Sequence, residues 1–140
     1  MVRISDLDLV NGLRENSRVT FTELARQFGV TETAVRKRVR KLEESGVIRK
    51  YTIEVDMRKL GFQVRATIGI DTKPENYLRT IDALKRMRTV SCLCSSSGDH
   101  MMMVDSWFRD TEELSKFVKS LEDMEGVTRV CPAVITDKIK

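Results

Sequence analysis

From residue 63 onward, apolar residues switch between two spacings in a fixed order, and that order leaves few folds open. Val64, Ala66, Ile68 and Ile70 alternate, as on one face of a strand, and Leu78, Ile81, Leu84 and Met87 then recur at helical spacing. Val90 to Ser95 and Met101 to Phe108 read as two strands around a Ser-Gly turn, hence a hairpin. Asp110-Thr-Glu-Glu113 caps a helix with Leu114, Phe117, Val118, Leu121 and Met124 on one face, and Gly126 stops it. A last strand runs from Val127 to about Ile139. Pro132 cannot donate to a ladder, which places that strand at a sheet edge or gives it a bulge. The order βαββαβ is the ferredoxin-like plan, with both helices on one face of a four-stranded antiparallel sheet.

The first third reads differently. Leu7, Val10 and Leu13 mark one helix after Ser5; Thr20-Phe-Thr-Glu23 is a capping box for a second, ended by Gly29. Thr31 caps a third helix, whose Val35, Val39 and Leu42 fall within about 60° on a helical wheel, and Gly46 ends it. That helix carries Arg36, Lys37, Arg38, Arg40 and Lys41, five basic residues in six positions. Most of them oppose the apolar stripe. The charge is as uneven as the periodicity: residues 1–50 hold 11 Lys/Arg against 7 Asp/Glu, while the remainder is balanced, so the whole excess of +4 sits in the first third. A basic outer face on a helix entered by a tight turn is the helix-turn-helix arrangement, read against DNA. Glu32, Thr33, Arg36 and Lys37 are placed for base edges; Arg40, Lys41 and the hydroxyls of Thr20 and Thr22 for phosphates, with Thr31 at the helix start. Arg38 lies beside the apolar seam and is expected to pair with a carboxylate of the same domain. The competing reading is a solvated basic face on an ordinary three-helix unit.

Between the halves, YTIEVD alternates and reads as a strand, a wing-like one over 47–56 in which Arg49 and Lys50 add phosphate contacts. The expected organisation is α+β: a helix-turn-helix domain over 1–50, a linker strand and turn over 51–62, and a ferredoxin-like βαββαβ domain over 63–140.

The stretch Cys92-Leu-Cys-Ser-Ser-Ser-Gly-Asp-His-Met-Met-Met-Val104 concentrates soft donors. With the hairpin turning at Ser97-Gly98, Cys94 faces Met101 and Cys92 faces Met103, so four sulfurs share a face. Soft donors of this kind select Cu(I), which makes a copper-responsive regulator or copper-binding protein the alternative function. Against it, Val90 shares the same face, and free Cys and Met are common core fillers, so packing is the preferred reading. Asp105 breaks the pattern by falling on that face. No second Cys/His pair stands at zinc-finger spacing, no phosphate-loop, dinucleotide or metalloprotease motif occurs, and the single His100 reads as a surface residue. The sheet also lacks the aromatic strip that RNA-recognition motifs use. No enzymatic activity, metal or cofactor is expected.

Three cysteines, no signal peptide at MVRISDLDLV and no run of ~18 apolar residues point to a cytoplasmic protein with no membrane partner.

Taken together, DLDLVNGLREN, FTELARQFGVTETAVRKRVRKLEESGVI, YTIEVDMRKLGF and SGDHMMMV resemble the Lrp/AsnC family of leucine-responsive, feast/famine transcription regulators, across essentially the whole chain. The resemblance implies double-stranded DNA as partner and self-association into dimers that pair through the sheets of their βαββαβ domains, with further assembly into tetramers or octamers. It also implies a free amino acid as effector, bound near the loop between strands two and three and beside the last strand. Here those positions are Ser97, Gly98, Asp99, His100 and Met101, with Ala133, Val134, Ile135 and Thr136, and Asp110 at the start of the second helix of that domain. Where many members carry an aspartate two residues after Asp99, this chain has Met101. Backbone N–H groups at the Ser-Gly turn suit a carboxylate, and Asp99 or Thr136 suits an ammonium group.

Overall fold

A computed structural model describes residues 4–140. The chain divides into two compact units, the first ending at Glu54 and the second beginning at Val55.

In the first unit, α1 (Asp6–Glu15), α2 (Phe21–Phe28) and α3 (Glu32–Glu44) bury Leu9, Leu13, Leu24, Ala25, Val35, Val39 and Leu42 against one another. Each helix starts on a side-chain cap, from Ser5, Thr20 and Thr31 respectively. The capping box at Thr20 is complete: its hydroxyl accepts from the Glu23 N–H, and the Glu23 carboxylate accepts from the Thr20 N–H at 2.8 Å. Gly29 ends α2 at φ 64°, a left-handed conformation that lets the chain reverse into α3 within a few residues. Arg38 finds its carboxylate, donating from Nε to Asp6 Oδ1 at 2.6 Å and so tying α3 to the start of α1.

The strand expected over Tyr51–Asp56 does not form. A strand needs a neighbouring backbone, and among the described residues no other strand offers this segment one. Its alternating apolar side chains are left in solvent, Tyr51 51%, Ile53 79% and Val55 41% exposed.

The second unit is a four-stranded antiparallel sheet of β1 (Val64–Thr72), β2 (Val90–Ser95), β3 (Met102–Phe108) and β4 (Val127–Ile135), in the order β2-β3-β1-β4. Helices α4 (Tyr77–Arg86) and α5 (Thr111–Glu122) intervene in sequence. This is the ferredoxin-like order, and β4 is an edge, as Pro132 requires. β4 stops at Ile135, short of Ile139. Ala66, Ile68 and Ile70 of β1, and Met102, Val104 and Phe108 of β3, are fully buried in one core with Leu84 of α4 and Leu114 and Leu121 of α5. Both helices therefore cover the same face. Each fully buried Leu, Ile, Met or Phe contributes about 1.5–3 kcal/mol from removal of its apolar surface from water.

The hairpin corrects the sequence reading in two ways. Its loop is two residues longer than a Ser97-Gly98 turn, running over 97–100, so Cys94 faces Met103, not Met101, and Cys92 faces Asp105, not Met103. A bulge between Val90 and Cys92 also reverses the face: Val90 and Leu93 pack on the core, while Cys92 and Cys94 are exposed on the opposite side. On β3 the core residues are Met102 and Val104, and Met101 and Met103 are only partly buried. The four sulfur residues are not core fillers. Asp105 belongs to the outer face, where it accepts from Arg65 at 2.7 Å and from Thr67 at 3.3 Å.

Within the core, Ser106 is 0% exposed and its Oγ has no hydrogen-bond partner among the described residues. An unmet buried hydroxyl costs about 1–3 kcal/mol. Ser106→Ala should therefore leave stability unchanged or raise it by up to ~1 kcal/mol, read as an equal or higher urea midpoint. A drop beyond ~1 kcal/mol would mean that the hydroxyl has a partner.

Candidate DNA interface and ligand site

On the outer side of the first unit, residues expected to meet DNA form a connected group. Arg36 donates to Glu32 Oε1 at 2.6 Å, and its guanidinium lies 5.2 Å from the centre of the Phe21 ring. Glu32 in turn accepts from the Thr22 hydroxyl at 2.8 Å. The Thr22 bond first, and then Arg36, hold the Glu32 carboxyl below its ordinary range, so it is ionised at neutral pH. Thr33, Lys37, Arg40 and Lys41 are exposed or nearly so along the same helix, with Arg40 paired to Glu44 at 2.9 Å. Thr31 caps α3 as expected, accepting the Ala34 N–H, whereas the Thr20 hydroxyl both caps α2 and donates to Glu23 Oε2 at 2.9 Å, so its proton is not free for the expected phosphate contact. Phe21 was not singled out from sequence, although a ring at the first position of α2 is the feature that supports Arg36. Arg49 and Lys50 are exposed in a segment that forms no wing strand.

In the second unit the loop between β2 and β3 is closed by the Ser96 N–H bonding to Met101 O at 2.9 Å, and Gly98 N–H donates to Ser96 Oγ at 3.2 Å. Asp71, on the outer face of β1, holds the loop from below. Its Oδ1 accepts the Met101 N–H at 2.9 Å, and its Oδ2 lies 2.9 Å from His100 Nδ1. An ionised carboxylate only accepts, so Nδ1 carries the proton. Burial would raise the Asp71 carboxyl, but the His100 and Met101 bonds and the nearby His100 and Arg129 charges outweigh it and hold it below its ordinary range. His100 is thus no surface residue: its side chain is 13% exposed, and its ring lies over Gly69, where an added Cβ would sit 2.1 Å from ring carbon Cδ2. Arg129 of β4 donates to Asp99 Oδ2 at 2.8 Å and stands 3.9 Å from Asp71. Asp71 and Arg129 were missed from sequence because their role depends on which strands are neighbours.

The remaining expected effector residues lie elsewhere. Met102 faces Ile70 across β1, whereas Ala133 faces Thr67, Val134 faces Ala66 and Ile135 faces Arg65. Three to five residues along a strand is about 10–17 Å. Thr136 is exposed, and its carbonyl accepts from Arg58 at 2.9 Å. Asp110 lies beyond the far end of β3, where it caps α5 by accepting from the Glu113 N–H at 2.8 Å. One chain brings together Ser97–Met101, Asp71 and Arg129, and does not bring Ala133–Thr136 or Asp110 to them.

Two family profiles match this chain: winged helix-turn-helix DNA-binding over residues 3–49, and the Lrp/AsnC ligand binding domain over residues 65–140. The chain belongs to the Lrp/AsnC family. It is a DNA-binding transcription regulator with a ligand-binding domain. It is 42% identical to the transcriptional regulator LrpA of Pyrococcus horikoshii, covering 100% of both chains. LrpC of B. subtilis superposes with a TM-score of 0.87 at 25% identity, covering 99% of this chain and 98% of that one. A Neisseria meningitidis regulator solved as an L-Met complex shares the fold, with a TM-score of 0.90 at 20% identity, covering 100% and 93%. Relatives named as transcriptional regulators have a non-enzymatic role, in keeping with a chain that carries no catalytic signature. Among the described residues no helix is long and apolar enough to cross a membrane.

Asp71→Ala strands the Met101 N–H and the His100 Nδ1–H, and should lower stability by about 1–3 kcal/mol at pH 7. Because the folded-state carboxyl sits below its ordinary value of 3.8, the wild-type advantage is full above that value and is lost as pH falls through the lower folded one. Urea midpoints of both proteins between pH 3 and 7 test this; a gap that already closes near pH 5 would contradict it.

Proposed function

We propose that this Lrp/AsnC regulator responds to a free amino acid held between the Ser97–Met101 loop, Asp71 and Arg129. The observation that carries the reading is the Arg129–Asp99 pair, both side chains at least half exposed, beside the more deeply set Asp71 and His100. A free amino acid brings one carboxylate and one ammonium, and this pair offers one guanidinium and one carboxylate at the same point. By exchanging one exposed ion pair for two, a zwitterion keeps every charge partnered. That a regulator of the same fold was solved with L-Met supports an amino acid as the ligand class.

Ala133–Thr136 and Asp110 would join such a ligand only from another copy of the chain, which fits a homo-oligomer, dimeric or larger. The exposed Tyr51, Ile53 and Val55 offer a surface for a second copy to cover. Coupling then follows from linkage: the amino acid acts by preferring one assembly over another. For DNA, Arg36 with Glu32, Thr33 and Lys37 reads bases in the major groove, and Arg40 and Lys41 lie along the phosphates, where Thr22 joins them by giving up its bond to Glu32. Residues 1–50 read DNA, 51–62 connect, and 63–140 bind ligand and assemble.

Calorimetry of the full-length protein against the twenty amino acids, followed by light scattering, tests the ligand reading. Arg129→Ala should abolish the heat of whichever amino acid binds while leaving operator binding in its absence intact; retained binding in that variant would place the ligand elsewhere. For the DNA reading, Arg36→Ala should weaken specific binding by about 1–3 kcal/mol, and Lys41→Ala should mainly reduce the salt slope, by about one unit. Unchanged affinity and slope in both would exclude this face as the interface.

A further inference from the structure

Helix α3 carries two ion pairs four residues apart, and they are not alike. Arg40 and Glu44 stand well out in solvent, with side chains 79% and 65% exposed. Arg36 and Glu32, 62% and 44% exposed, are also held from α2. The Thr22 hydroxyl donates to Glu32 Oε2 at 2.8 Å, and the Phe21 ring lies 5.2 Å from the Arg36 guanidinium. The result is a donor and an acceptor fixed side by side, Arg36 Nη2 and Glu32 Oε1 2.6 Å apart. They sit in the first half of α3, the part of a recognition helix that meets base edges.

The two side chains make opposite demands on a base edge. Glu32, ionised, only accepts, and in the major groove only cytosine N4 and adenine N6 donate. Arg36 only donates. Its guanidinium has five N–H bonds and commits one to Glu32, which leaves enough for both acceptors of a guanine, N7 and O6. In a G·C pair, guanine O6 and cytosine N4 are hydrogen-bonded to each other and so lie about 2.9 Å apart, close to the spacing of the protein's own donor and acceptor. A T·A pair sets thymine O4 and adenine N6 in the same order, but its thymine gives Arg36 one acceptor and a methyl group. Turned round, as C·G or A·T, either pair sets a donor against Arg36 and an acceptor against Glu32.

We propose that Arg36 and Glu32 read a single G·C pair in each half-site as one unit, Arg36 over the guanine and Glu32 over the N4 amino group of its cytosine, a role that rests on this face being the DNA interface. Glu32 is then a specificity-determining residue, and its pairing with Arg36 does more than support the helix. When Thr22 turns to a phosphate, cytosine N4–H takes its place on Glu32 Oε2, so the carboxylate exchanges one donor for another and keeps both its partners. The order of preference at that position is G·C, then T·A, with the two reversed pairs last. Glu32 enforces the orientation, because an acceptor edge brought against an ionised carboxylate meets no proton.

The test is selection of sites from random DNA by the full-length protein, followed by binding to the selected site carrying single modified bases, at low salt so that weakened variants still bind. One position per half-site should follow the order above. N4-methylcytosine there keeps the base pair but puts a methyl group where Glu32 accepts, and should weaken wild type about ten-fold. Glu32→Ala, weaker from the outset, should change by less than about two-fold. 7-Deazaguanine removes N7, and should weaken wild type several-fold while leaving Arg36→Ala unchanged, both variants keeping wild-type circular dichroism. The proposal alone is overturned if a motif emerges in which no position follows the order, or if either modified base weakens wild type and its matched variant alike or weakens neither. A selection that enriches no motif removes the DNA interface itself, and the proposal with it.

Discussion

Everything in the second unit depends on β1 being paired on both sides. A strand with ladders to β3 and β4 has no free edge, so its only choice is which residues face which way, and the two-residue period settles that along its whole length. Ala66, Ile68 and Ile70 go to the helices and make the core. Thr67, Gly69 and Asp71 go to the other side, where Thr67 and Asp71 meet Asp105, His100 and the Met101 backbone. Core and candidate ligand site are the two faces of one nine-residue strand. A one-residue slip would place Asp71 among leucines and Ile70 under the loop, losing both together.

The first unit reaches comparable order by capping. Three short helices, none longer than 13 residues, would be marginal in isolation. Caps from Ser5, Thr20 and Thr31 satisfy N–H groups at each start, and the Arg38–Asp6 pair adds a link between the first and third helices. The same economy prepares the outer face. Arg36 is held by the Phe21 ring and Glu32, so less of its rotamer freedom remains to be lost on meeting DNA, where ordering such a side chain costs about 0.5–1.5 kcal/mol.

Periodicity and caps made most of the architecture legible from sequence: α1 to α5, the four sheet strands and the edge position of Pro132 follow from them, while the short 3-10 turns at Met57–Leu60 and Pro74–Asn76 do not. What failed has a common physical cause. Face and pairing are relations between strands, and a single strand's alternation does not say which side is inside. Cys92 and Cys94 alternate as well as any core pair; the bulge beside Val90 decides their side, and only Asp105, misplaced on the assumed core face, pointed to it. Tyr51–Asp56 has a strand's pattern, yet no strand forms where no partner backbone is present. At the candidate ligand site the loop residues were legible as a Ser-Gly turn. Asp71 and Arg129 come from distant stretches that meet only through the register of β1 with β4.

The contact between His100 and Gly69 sets a limit on how this sequence can vary. Position 69 has room for hydrogen only because an imidazole occupies the space where a side chain would begin. The requirement for glycine there is therefore imposed not by backbone conformation but by a residue on another segment. Chains that replace the ring with something small are freed to place alanine or serine in the strand, while chains that keep it are not. Position 69 is thus tolerant or intolerant according to position 100, and effects of changes at the two sites will not add.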